Sequence, residues 1–190
     1  MIVLIVILAL AAVLIAYFAG IYNGLVGLRE NVKVAWANID VLLKQRHDEL
    51  PKLVETCKRY MQFEQETLEK VMRARASVSQ ASTSGNVAAV GAAEQQLRAG
   101  VGRLFAVAEN YPQLKTDETF KQLQGRVTAL EESIADRREL YNDQVNLNNI
   151  RVNVFPDVLV ARRFGFHPAQ LLEFSAAEKS DVEMGALFST

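Results

Sequence analysis

The side chains best placed to do chemistry are polar ones in apolar company: Arg46, Glu131, Arg138, Tyr141, Asn142 and Asn148 lie on or beside otherwise apolar helical stripes. A buried guanidinium is tolerated only when it is paired and hydrogen-bonded, so Arg46 or Arg138 is expected to meet a carboxylate such as Glu131. Such a set can fix the register of packed helices, as a lone polar residue does in a coiled coil, or it can offer a polar socket to a partner or ligand. The spacing favours the structural role.

Other candidates fail on geometry. His47-Asp48-Glu49 has metal-ligand residue types, but successive residues on a helix point in different directions, so the triplet is expected on a solvated face. Cys57 is the only cysteine, which excludes an internal disulfide, and His47 and His167 are too far apart in sequence to form a Cys/His metal signature. The chain carries no G-x-S-x-G, no P-loop, no H-E-x-x-H and no kinase-type glycine-rich loop. A non-enzyme without cofactor or metal is the expectation. With 21 Lys and Arg against 22 Asp and Glu, there is no basic excess to hold nucleic acid.

The elements that position these residues are helices. Leu25, Leu28, Val32, Ala35, Ile39, Leu42, Arg46, Leu50, Leu53, Cys57, Tyr60, Phe63, Leu68, Val71, Arg75 and Val78 step by threes and fours. The seam passes Pro51 without losing phase, which predicts one long helix kinked at Pro51 rather than broken there. Ser82-Thr83-Ser84-Gly85-Asn86 reads as a turn, with Ser84 or Asn86 capping a second helix that turns Val87, Val90, Leu97, Val101, Leu104, Phe105 and Ala108 inward. Tyr111-Pro112 ends it. Thr116, Asp117 and Glu118 start a third helix, whose seam runs through Phe120, Leu123, Val127, Leu130, Ile134, Arg137, Tyr141, Val145, Asn148 and Val152 towards Phe155-Pro156. No run alternates with period two. The expected fold is all-α: one transmembrane helix over residues 1–21, an antiparallel helical bundle over 22–155, and a short helix with a tail over 156–190.

No charged side chain precedes Arg29, and Ile2 to Gly20 is almost unbroken apolar sequence. A helix over that stretch is roughly 28 Å long, matching the hydrocarbon core of a bilayer. A cleaved signal is disfavoured: only Met1 precedes the run, and Ala9-Leu10-Ala11 lies inside it. Arg29 and Lys33 follow the span, which places the N-terminus outside and the bulk in the cytoplasm. Tyr22 suits headgroup level. Ala12, Ala16, Gly20 and Gly24 recur every fourth residue, the small-xxx-small arrangement of associating membrane helices.

A first helix reaching Val78 would be on the order of 80 Å long and would outreach its partners. Its proximal stripe, Leu25, Leu28, Val32, Trp36 and Ile39, is then expected to lie open as an oligomerisation surface. Beyond Pro156, a short helix to about Arg163 is expected to stop at Gly165 and Pro168. The apolar Leu171, Leu172, Phe174, Leu187 and Phe188 flank the charged stretch from Glu178 to Glu183; this tail either docks or stays free.

The residues resemble one known family. Tyr22-Asn23-x-Leu25-Val26, Ala35-Trp36-x-x-Ile39-Asp40-x-x-Leu43, Arg46, Leu50-Pro51-x-Leu53-Val54, Glu109-x-Tyr111-Pro112-x-Leu114, Leu123-Gln124, Glu131-x-x-Ile134, Arg138-x-x-Tyr141-Asn142, Asn148 and Phe155-Pro156 occur in order over nearly the whole chain and are similar to the LemA family. The departure is Leu147, where the family commonly has Tyr. The resemblance implies a bacterial protein with one N-terminal membrane helix, a short exported N-terminus and a cytoplasmic antiparallel helical bundle, and it supplies no catalytic residues. The functional expectation is a homo-oligomeric scaffold or adaptor at the cytoplasmic face of the plasma membrane, in contact with the lipid bilayer. The alternative is a non-enzymatic sensor or signalling subunit binding a protein or small ligand through its bundle.

Overall fold

The computed structural model describes residues 1–173, and these are helical with no strand among them. Six helices follow in order: α1 Ile2–Lys58, α2 Gln65–Ser84, α3 Val87–Ala108, α4 Pro112–Thr116, α5 Glu118–Asn153 and α6 Asp157–Phe164. The described chain falls into two compact units. Unit 1 is Met1–Asn38 with Arg137–Leu171; unit 2 is Ile39–Asp136 with Leu172 and Glu173. Two of the three boundaries, after Asn38 and after Asp136, cut through helices at positions that no glycine or proline marks.

α1 is continuous through Pro51, and at 57 residues it is about 86 Å long. It stops at Lys58 rather than continuing to Val78, which corrects the single-seam expectation. Arg59–Glu64 form a turn in which the N–H groups of Tyr60 and Met61 donate to the Cys57 carbonyl. Met61 is fully buried while Phe63 is 94% exposed, so the inward phase of the seam is lost here. The cause is tertiary. The Tyr60 hydroxyl donates to Asp117 Oδ2 at 2.9 Å, and Asp117 Oδ1 caps α5 by accepting the Phe120 N–H at 2.9 Å. Burial of Met61 is worth roughly 1.5–3 kcal/mol, enough to offset the helical hydrogen bonds lost at a turn.

In unit 2, α2 and α3 form a helical hairpin. Gly85 closes α2 in the left-handed region at φ 67°, where a Cβ would be strained, and the Asn86 side chain accepts the Ala89 N–H at 3.0 Å to open α3. Gly100 brings α3 against Val71 of α2. Leu50, Leu53, Cys57, Val71, Val90, Val101, Leu104, Leu114 and Val127 are wholly buried in this unit. Glu173 lies over α3: a Cβ on Gly91 would enter its carbonyl oxygen.

Unit 1 packs the start of α1's folded part against the end of α5 and α6. Ile21, Leu25, Val152, Val160, Ala161 and Phe166 form one buried cluster, with Val26 against it. Leu25 is therefore fully buried and Leu28, Val32 and Trp36 are half-buried, while Ile39, the first residue of unit 2, is also fully buried. Of the stripe read as an open oligomerisation surface, the unit 1 residues thus have intrachain cover that is complete only at Leu25. Residues 2–20 stand outside both cores, every side chain exposed. They form part of one helix long and apolar enough to cross a membrane. Phe174, Leu187, Phe188 and Glu178 to Glu183 lie outside the described residues.

Candidate functional site

Arg46 and Glu131 lie in unit 2; Arg138, Tyr141, Asn142 and Asn148 lie in unit 1.

In unit 2, Arg46 Nη2 donates to both carboxylate oxygens of Glu94, and each side chain is at most 3% exposed. Glu94, rather than Glu131, is thus the carboxylate that balances the arginine. It was legible in principle: Val90, Glu94, Leu97 and Val101 are spaced four, three and four, so an inward α3 face must bury position 94. Burial pushes the Glu94 carboxyl above its ordinary value, and Arg46 pulls it back in part. Glu131 has a buried Oε1 with no protein hydrogen-bond partner, and burial pushes its carboxyl up as well, against the pull of Arg46 and Arg98 and with the help of Glu94. Glu49 borders the same helix face: its Oε1 meets Lys52 at 3.1 Å and Arg126 at 3.6 Å, while Oε2 is buried without a partner.

The raised carboxyls give this unit a defined pH response. Glu131 keeps its proton in the folded protein at a pH where the unfolded chain has released it, so folding takes up protons and stability falls as pH rises from about 4.5 through the folded value. Glu131→Gln removes that penalty. It is expected to be the more stable protein at pH 8 by about 1 kcal/mol, with the advantage shrinking towards pH 5. Urea unfolding of both proteins across that range measures it; equal slopes would refute the assignment.

His47 is half-buried on α1. Its carbonyl accepts Arg75 Nε at 2.8 Å, and burial, with the Arg75 charge, lowers its imidazole below the ordinary value. The Cys57 thiol is buried and pushed up to about 12 by desolvation, which leaves it protonated and unreactive. Among the described residues, no group of three His, Cys, Asp or Glu side chains could hold a metal.

In unit 1 the polar residues do a different job. Tyr141 donates its hydroxyl to the Gln170 carbonyl at 2.9 Å, and burial raises its phenol. Asn148 Nδ2 donates to the His167 carbonyl at 3.3 Å. Asn149 donates to the Ala169 carbonyl at 2.9 Å and accepts the Ala169 N–H at 2.7 Å. A non-helical segment after Gly165 cannot satisfy its own backbone, so these side chains on one face of α5 do so. They tether a strap rather than set the register of two helices. Trp36 meets Tyr141 with ring centroids 5.5 Å apart, and Arg138 and Asn142 are half-buried alongside. Asn149, absent from the sequence-level set, carries two of the four bonds. Its signal was the Asn148-Asn149 pair inside a helix, where asparagine is a poor helix former.

At the start of unit 1's core, Gly20 has open space where a Cβ would stand, whereas Gly24 faces Arg151. The small-residue face is therefore open at Ala12, Ala16 and Gly20 and occupied within the chain at Gly24.

The model of the LemA family matches residues 35–185. Magnetosome protein MamQ 2 and Magnetosome protein MamQ 1 of Paramagnetospirillum magneticum are each 25% identical over 192 residues, covering 88% of this chain and 70% of theirs. Protein LemA of Metamycoplasma hominis is 24% identical over 174 residues, covering 90% of this chain and 77% of its own. The chain belongs to the LemA family.

Proposed function

We propose that this chain is a membrane-anchored, non-catalytic scaffold that assembles with copies of itself and holds its helical bundle at the cytoplasmic face of a bacterial plasma membrane. One observation carries the reading: residues 2–20 are an apolar helix whose side chains are all exposed, continuous with a segment that packs from Ile21 onward. A bilayer is the solvent such a surface requires. Arg29 and Lys33 beyond the span favour a cytoplasmic bulk.

Self-assembly is supported by Ala12, Ala16 and Gly20, which leave one face of the span shallow enough for close helix approach. The juxtamembrane stripe is fully buried at Leu25 and Ile39 and half-buried at Leu28, Val32 and Trp36, which favours the span as the place where copies meet. Native mass spectrometry from lipid discs is expected to give a discrete oligomer, and Gly20→Leu to shift it towards monomer. A monomer for both proteins would sink the scaffold.

A second reading, docking of a ligand or protein by the bundle, draws on a groove of about 930 Å³ in unit 2 lined by Val54, Met61, Phe63, Leu68 and Met72. Phe63 is its exposed large apolar side chain.

A further inference from the structure

We propose that α6 is an interfacial foot: it lies in the headgroup layer and binds anionic phospholipid through Arg162 and Arg163. The inference rests on the reading that α1 crosses the bilayer, and adds a second, peripheral membrane contact.

The geometry is internal to unit 1. At one end of α6, Asp157 pairs with Arg151, whose guanidinium reaches the position a Cβ on Gly24 would face, at 3.5 Å. At the other end the Phe164 ring meets the Tyr22 ring, centroids 4.9 Å apart. Gly24 and Tyr22 differ by only about 3 Å along α1, whereas α6 is about 12 Å long. Phe164 also lines a groove with Leu14, Ile15 and Phe18, so α6 stands beside α1 around the residues where the apolar run ends, which is the level of the bilayer surface.

Its side chains suit that plane. Val160 and Ala161 face the core, which leaves Leu159 52% and Phe164 57% exposed, with Phe155 just before the helix 79% exposed. Phe164 closes a groove of about 510 Å³ with Leu14, Ile15, Phe18 and Tyr22. Those partners belong to the apolar run, so a ring facing them sits at acyl-chain depth, and the groove has the lining for one lipid tail. Arg162 and Arg163 are exposed and have no ion pair among the described residues, and Arg163 stacks on Phe164. An apolar face with an arginine rim at its edge is the composition of interfacial helices that take anionic lipid.

The test uses the full-length protein in lipid discs, with nitroxides attached at Phe164→Cys and Leu159→Cys. Leu10→Cys serves as a control within the span and Lys44→Cys as an aqueous one; the buried Cys57 stays unlabelled. Collision with oxygen is expected to exceed collision with a nickel chelate at positions 164 and 159, as at 10 and the reverse of 44. Aqueous behaviour at 164 and 159 with position 10 in lipid overturns the foot alone; aqueous behaviour at position 10 overturns the anchor itself. Replacing phosphatidylcholine by phosphatidylglycerol is expected to lower nickel access at 159, and Arg162→Glu with Arg163→Glu to abolish that lipid dependence. Equal access in both lipids overturns the arginine assignment.

Discussion

Arg46→Met is expected to cost the folded protein about 3–5 kcal/mol, because it leaves Glu94 buried with its charge uncompensated. That is a large part of the stability of an ordinary domain, so loss of cooperative unfolding near room temperature is within reach. The companion change is more diagnostic. Arg46→Met combined with Glu94→Leu replaces a buried ion pair by apolar side chains of similar volume and should restore most of the loss. Chemical denaturation of the two single variants and the double variant closes the cycle, with a coupling of several kcal/mol expected. Additive effects would mean that the pair does not act as a unit. Repeating the cycle with Glu131→Gln in place of Glu94→Leu should give far weaker coupling, since Arg46 has its hydrogen bonds to Glu94.

The second large effect concerns the span, where magnitudes decide the design. The Ile, Leu, Val and Phe side chains between Ile2 and Gly20 contribute roughly 4–7 kcal/mol to insertion, and one central arginine opposes it by about 2.5–3.5 kcal/mol. Leu10→Arg alone should therefore leave the protein in the carbonate-resistant membrane fraction. Leu10→Arg with Leu14→Arg should cancel the driving force and release most of it. Retention of the double variant would show that the span is not what holds the chain to lipid.

Much of this fold was legible in the residues, and the failures share a cause. The α3 and α5 seams emerged because their buried positions are apolar and recur at helical spacing, and Asn86 and Asp117 cap as their side-chain oxygens allow. The turn at Arg59–Glu64 was hidden because nothing local breaks the helix there: Tyr60, Met61 and Phe63 fit the seam, and only distant Asp117 and the burial of Met61 redirect the chain. Glu94 was overlooked because a carboxylate in an apolar stripe reads as surface until its arginine is seen. The strap escaped for a related reason. His167 to Gln170 has no periodicity, so the need of its backbone for Tyr141, Asn148 and Asn149 becomes visible only when they meet.

Gly91 turns one backbone contact into a rule about inheritance. A β-carbon there would have to evict the Glu173 carbonyl and with it Leu172, which is 1% exposed. A selection for folded protein from a fully randomised codon 91 should return glycine, while the exposed neighbour Ala92 should drift freely. Two adjacent letters of the gene thus live under opposite evolutionary regimes.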